Sequence, residues 1–279
     1  MAIASAPIRS RLRTPPHPTI EAQYTLMRAF AERTQRGEAI ERVINYYVLG
    51  AGTYRQTRVW PPAGVTQTTL FLSRDNTLAA NVGRQGVLRH DVDLSVGTGE
   101  RTRWSTQIGT PPAYTDRAEI DRRLIVFDSA PMAADMELVG TPVIDLQMAT
   151  RTTDPAFFVY LEDVAPDGRV TYITEGMLRA IHRRPADPAT LAYDAGPAPH
   201  SFRRGDALAV TSGEVMQVRF ALFPTAALVR EGHRLRIALA GADASVFHVY
   251  SGGGPETFEL HVGGASPSTL EITMRPWTP

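Results

Sequence analysis

Apolar and polar residues alternate with a period of two in the C-terminal half of the chain. Ile144, Leu146 and Met148 are separated by the polar residues Asp145 and Gln147. Two later segments repeat this alternation, at 216–220 and 234–239. Because successive side chains of a strand point to opposite faces of the sheet, the pattern predicts antiparallel strands with one face in water.

One hairpin is predicted by its turn, the sequence APDG at 165–168, which lies between strand-like runs at 158–164 and 169–174. Proline presets the second position of a type I turn. Further β-branched and aromatic runs occur at 43–49, 68–72 and 122–127, and 73–121 is expected to form long ordered loops with short strands. Ten or more strands predict an all-β fold, a galactose-binding-like jelly-roll β-sandwich with one N-terminal helix.

The helix is predicted over residues 20–36, where Ile20, Tyr24, Met27 and Ala31 recur at helical spacing and Gly37 follows. Residues 1–19 are rich in Arg and Pro and contain no acid, so we expect a disordered tail. The predicted organisation is therefore a tail over 1–19, a helix and linker over 20–42, and the jelly-roll domain over 43–279.

Composition excludes several classes of function. The 29 basic and 29 acidic residues cancel, so no net charge attracts nucleic acid or an anionic membrane. No apolar run reaches the ~18 residues of a membrane span, and we expect a cytoplasmic protein. The sequence contains no Cys and no Lys, which excludes disulfides, thiolate metal sites and Schiff-base chemistry.

The sequence does not contain the G-x-S-x-G motif that holds the nucleophile of α/β-hydrolases. Ser251 comes nearest, but Val249 occupies the first glycine position, and a strand connection is the favoured interpretation. No spacing of His or acidic residues predicts a metal or cofactor site. The candidate binding residues are Tyr172, Glu175, His200, His248 and Tyr250, although a structural role is favoured for each His, and Glu175 is expected to pair with an Arg.

Several strings resemble one family of proteins. They are FDSAPMAADMELVGTP at 127–142, DPAFFVYLEDVAPDGR at 154–169, TEGMLRA at 174–180, GHRLRIALAGADA at 232–244, YYVLGAGTYR at 46–55 and WPP at 60–62. Together they resemble the C-terminal, X-Pro dipeptidyl-peptidase C-terminal-like domain of the CocE/NonD serine hydrolases. The resemblance implies a jelly roll that shapes the substrate cleft of an ester or amide hydrolase. The helix resembles the last helix of the hydrolase domain.

In that family the catalytic Ser, Asp and His precede the segment that this chain matches, so the resemblance implies no catalytic residue here. It implies instead an α/β-hydrolase partner, or a homo-oligomer, that covers apolar surface on the helix around Tyr24 and Phe30 and near Trp60. Two alternatives remain open: a stand-alone jelly roll that binds a sugar or another small molecule, and an enzyme with acid–base chemistry relocated into the jelly roll. Whether the chain acts as an enzyme by itself also stays open.

Overall fold

A computed structural model describes residues 20–108, 112–249 and 256–279. The predicted disordered tail over 1–19 lies outside the described residues. The helices are α1 (Ile20–Gln35) and the short α2 (Ala118–Asp121). The strands are β1 (Ile44–Val48), β2 (Thr53–Thr57), β3 (Thr66–Leu72), β4 (Thr77–Ala79), β5 (Gly86–Asp91), β6 (Ile125–Ser129), β7 (Met136–Gly140), β8 (Val143–Thr150), β9 (Ala156–Val164), β10 (Val170–Arg179), β11 (Met216–Ala221), β12 (Thr225–Val229), β13 (Arg234–Ala240), β14 (Thr257–Val262) and β15 (Thr269–Pro276).

Thirteen of these strands form one continuous sheet, and β1 and β2 form a separate hairpin. The sheet runs β10-β9-β13-β6-β4-β3-β15-β8-β14-β5, while β11 pairs with β8, and β7 pairs with β12 and β15. The pairs are antiparallel except for β4 with β6. The predicted all-β fold with an N-terminal helix is confirmed; its description as a jelly roll stays a prediction.

The two halves of the sheet face each other across the main hydrophobic core. Phe157 on β9 packs edge-on against Phe258 on β14, with ring centroids 5.8 Å apart. Ile144, Leu146 and Met148 are completely buried in this core, as their alternation with polar residues predicts. Burial of these apolar faces is the main force that closes the sheet, since each buried aliphatic or aromatic side chain contributes roughly 1.5–3 kcal/mol.

The predicted hairpin is confirmed, although its second strand is longer than the sequence indicates. Gly168 donates its N–H to the Ala165 carbonyl at 2.9 Å, and Asp167 accepts from the Arg169 N–H at 3.1 Å. The strand β10 does not end at residue 174 but continues to Arg179. Glu175 is therefore a strand residue and not, as its position suggested, a residue of the following connection.

Helix α1 ends as predicted at a glycine with positive φ, Gly37 (φ 68°), which adopts the left-handed conformation that closes a helix. Its large apolar side chains are mostly exposed: Tyr24, Met27 and Phe30 are 67%, 64% and 58% exposed. Trp60, also expected to be exposed, is instead half-buried, because its ring packs edge-on against Tyr46 and its N–H bonds to Thr141.

Candidate functional site

A second buried layer lies on the outer face of β9, β10 and β13, opposite the main core. Its apolar members include Phe158, Tyr160 and Tyr172, and residues of two connections, among them Tyr114 and Phe247, pack against them. Unlike the main core, this layer contains charged groups. Glu162, Glu175 and Asp243 are each at most 1% exposed. Ionisable side chains are almost never buried this deeply without partners, so this layer is the first place to look for function.

Glu175 accepts a hydrogen bond from the indole N–H of Trp104, with Nε1 and Oε1 2.8 Å apart. Trp104 packs edge-on against Phe223 and Phe247, which close the site from the side. The second carboxylate oxygen of Glu175, Oε2, is buried and has no hydrogen-bond partner among the described residues. Burial raises the pKa of Glu175, and the bond from Trp104 opposes that rise. The charge of Arg103 also lowers the pKa of Glu175, and the expectation that Glu175 pairs with an Arg stays a prediction.

Tyr172 lies in the same layer and stacks face to face on Tyr114, with centroids 3.9 Å apart. The Tyr114 hydroxyl accepts a hydrogen bond from the backbone N–H of Arg103 at 2.8 Å. Burial raises the pKa of Tyr172, and the nearby Glu175 carboxylate raises it further. The sequence thus predicted two residues, Tyr172 and Glu175, that the fold brings together.

Two further buried carboxylates in this layer were not predicted. Asp243 accepts from the Tyr160 hydroxyl at 3.0 Å and from the Thr98 hydroxyl at 2.8 Å, which ties one covering loop to β9. Glu162 pairs with Arg117, whose guanidinium also lies over the Tyr160 ring at 4.2 Å. Tyr160 and Glu162 stand at alternate positions of a strongly apolar strand, which is a usable signal; nothing in the sequence near Arg117 marks it as buried.

His248 lies at the edge of the layer, beside a small cavity that Asp243, Phe247 and Glu256 also line. The cavity measures about 10 Å³, which is room for about one water molecule and not for a substrate. Tyr250 and Ser251, the other candidates from this loop, lie outside the described residues.

His200 lies elsewhere and has a structural role. Its two ring nitrogens face the carbonyl oxygens of Arg184 at 3.0 Å and Arg219 at 2.8 Å. No hydrogen bond or ring contact recorded for the described residues joins it to Tyr172 or Glu175. His200 is therefore not part of the cluster that holds Tyr172 and Glu175. The structure gives no geometric basis for acid–base catalysis that uses Tyr172, Glu175, His200 and His248 together.

Among the described residues, the cavity beside this layer measures only about 10 Å³, which is too small for a substrate. A buried carboxyl with a raised pKa beside a tyrosine is suited to proton transfer, yet a general acid or base must reach the proton it moves. Glu175 is 1% exposed, and its carboxylate bonds to the Trp104 indole rather than facing open solvent. The residues that the structure describes contain no group of three or more His, Asp or Glu that could hold a metal ion. The layer fixes the covering loops to the sheet.

Comparison with known proteins identifies the family. Residues 38–271 match the family model of the X-Pro dipeptidyl-peptidase C-terminal non-catalytic domain. The chain belongs to this family. The resemblance drawn from the sequence strings is confirmed, and the chain carries the C-terminal domain of CocE/NonD-type hydrolases.

Two relatives illustrate how much of a longer protein this domain represents. A protein described as a serine esterase of Mycobacterium bovis is 40% identical over 230 residues, which are 78% of this chain and 35% of that protein. The cocaine esterase of a Rhodococcus species is 21% identical over 244 residues, 80% of this chain and 39% of the esterase. The chain thus spans little more than a third of the curated relatives it matches.

Solved structures agree on the fold. A CocE/NonD family hydrolase from Staphylococcus aureus superposes with a TM-score of 0.63 at 16% identity, over 91% of this chain and 46% of the hydrolase. An aminopeptidase from a marine sediment Thaumarchaeota archaeon gives a TM-score of 0.64 at 18% identity, over 90% and 44%. Among the described residues of this chain, no helix is both long and apolar enough to cross a membrane.

Proposed function

We propose that this chain is a non-catalytic domain that completes the substrate cleft of an α/β-hydrolase acting on esters or amides. The hydrolase domain is either part of the same polypeptide or a separate chain. The absence of a G-x-S-x-G motif from the sequence supports this proposal, as does the near-complete burial of Glu175 among the described residues of the polar layer. The description of the family as a non-catalytic domain agrees with it.

The observation that carries the proposal is the uncovered apolar face of α1. Leu26, Met27 and Phe30 are each more than half exposed, and α1 precedes the segment that matches the family model. An isolated helix of 16 residues is marginally stable in water, so packing of its apolar face on a partner would stabilise it. Large apolar side chains grouped in this way mark a protein–protein contact. We infer that the hydrolase domain packs on this face.

A chimera tests the proposal. In the Mycobacterium bovis relative, residues 20–279 of this chain replace the matching segment, and kcat/KM is measured for esters of increasing acyl length. We expect an active enzyme with a changed acyl preference, because the replaced domain lines the cleft. An active chimera with the parent's preference would contradict a substrate-shaping role.

Variants of α1 separate docking from folding. Met27→Glu together with Phe30→Glu in the chimera should lower activity at least tenfold, since two charges then face an apolar surface. The matched control is Arg28→Gln on the same helix, whose side chain is 75% exposed and pairs with Glu32. Equal activity of the two variants would show that α1 does not dock.

A further inference from the structure

A groove of about 430 Å³ opens beside the outer edge of β11. One wall is formed by residues 214–217 and Arg219, and the other by Arg183, Pro185, Leu208 and Thr211. Its volume falls within the range of small-ligand sites, about 300–1,000 Å³. The groove shares no lining residue with the polar layer beneath the covering loops, so it is a separate feature of the fold.

The groove exposes backbone groups of an unpaired strand edge. β11 pairs with β8 on one side only. Just beyond β11, Leu222 donates its N–H to the Pro142 carbonyl at 2.8 Å. Because backbone groups of alternate residues point to opposite sides of a strand, the even-numbered residues of β11 direct their N–H and C=O groups toward β8. Arg219, an odd-numbered residue, directs its carbonyl the other way, to His200. Gln217, two residues earlier, therefore presents its N–H and C=O to the groove, and no described residue pairs with them.

The second wall places a positive charge at this edge. The Arg183 guanidinium donates to three carbonyl oxygens, those of Ala180 at 3.1 Å, Leu208 at 3.0 Å and Ala209 at 2.8 Å. Carbonyl oxygens fix the guanidinium in place but do not neutralise it, and no carboxylate among the described residues forms an ion pair with it. Glu214 lines the same groove and acts on Arg183 only through the longer-range field.

Arg219 on the opposite wall shows the contrast. Its guanidinium forms an ion pair with Glu271 at 2.7 Å and approaches Asp145 at 3.6 Å. Its charge is thus already compensated within the protein. The described lining of the groove thus includes one cation without a carboxylate partner, Arg183, and one strand residue with free backbone groups, Gln217.

We propose that this groove binds a short extended peptide that ends in a free carboxylate. The carboxylate pairs with Arg183, and a peptide amide of the ligand adds to the β11 edge at Gln217. Leu208 and Val215 provide apolar contacts for its side chains. Strand addition gives backbone affinity, and a charge-assisted bond to Arg selects the planar carboxylate end.

Isothermal titration calorimetry of the whole chain with N-acetyl-Ala-Ala, its C-terminal amide and acetate tests this. We expect the free acid to bind at least tenfold more tightly than either of the others. Glu214→Gln should tighten binding of the acid several-fold because it removes a like charge, and Arg183→Gln should abolish it. Arg122→Gln is the control and should bind as the parent does, because Arg122 is an exposed residue directly after α2 that pairs with Glu119.

Because Arg183→Gln removes three hydrogen bonds, the backbone amide resonance of Gln217 provides a measurement that does not depend on that variant. It should shift on titration with the free acid and stay unchanged with acetate. Equal affinity of acid and amide, or no binding of either, would overturn the site. Binding of the acid with an unshifted Gln217 resonance, or acetate as tight as the peptide, would overturn the strand addition.

Discussion

Tyr172 and Glu175 lie three residues apart on β10, yet both side chains belong to the outer layer of the sheet. An odd separation in a regular strand places side chains on opposite faces. The register of β10 against β9 shifts between Tyr172 and Thr174, so that one extra residue is inserted there. This bulge returns Glu175 to the face of Tyr172, where it meets Trp104.

The Trp104–Glu175 contact predicts a pH-dependent difference in stability. Burial raises the folded-state pKa of Glu175 above its ordinary value of 4.5. At pH values between the unfolded-state pKa and the raised folded-state pKa of Glu175, the folded protein binds more protons than the unfolded chain. The contribution of Glu175 to stability therefore falls as pH rises. Glu175→Gln has no such titration. Urea unfolding should therefore show that the Gln variant gains stability relative to the parent as pH rises from about 4 to 7.

Glu175→Ala is the control for the previous variant. It leaves the buried Trp104 N–H without its acceptor and creates a cavity, which costs about 1–3 kcal/mol for the unpaired donor alone. We expect it to be less stable than Glu175→Gln at every pH. If the Gln variant behaved like the Ala variant across the whole pH range, the role given to burial of the carboxylate would be wrong.

The Arg117–Glu162 pair predicts strong coupling between two substitutions. Both side chains are nearly inaccessible, at 4% and 0% exposure. Arg117→Met removes the positive charge and leaves a buried carboxylate, so we expect a loss of about 3–5 kcal/mol. Adding Glu162→Gln should recover most of that loss, since the amide carries no charge. A double-mutant cycle measured by chemical denaturation gives the coupling, and simple additivity would contradict the assignment.

Substitution of His200 is expected to lower the stability of the protein whether or not a ligand is bound. His200→Ala removes the ring nitrogens that lie at hydrogen-bond distance from the carbonyls of Arg184 and Arg219, and we expect about 1–3 kcal/mol of destabilisation. The comparison variant is His182→Ala, because the recorded contact of His182 is an edge-on one to the Phe202 ring. Thermal unfolding of both proteins measures the difference. An equal change in Tm would refute the bridging role of His200.

Because the apolar side chains of α1 are largely exposed, we expect them to contribute nothing to the free energy of unfolding of this chain alone. Met27→Ser and Phe30→Ser should leave the free energy of unfolding within about 0.5 kcal/mol of the parent, because both are largely exposed. Phe127→Ala, at a completely buried position, should cost about 3–5 kcal/mol. A comparable loss from the α1 variants would show that the helix packs on its own domain.

The sequence predicted the sheet better than the site, for a physical reason. Strands such as β8 and β11 bury one face against the main core, so burial and sequence share a period of two. On β9 and β10 both faces are buried, and the outer one includes charges. The partner of Glu162 comes from Arg117 in a distant connection, and such a pairing leaves no local pattern to read. The bulge at Tyr172 likewise breaks the alternation that sequence reasoning relies on.

Labelling with a serine-directed fluorophosphonate tests the central claim, that this chain has no catalytic nucleophile of its own, most directly. The chain is incubated with excess probe, and its intact mass is measured. The account predicts an unchanged mass, while the full-length chimera with the Mycobacterium bovis relative gains one probe per molecule. One probe bound per molecule of this chain alone would contradict the account.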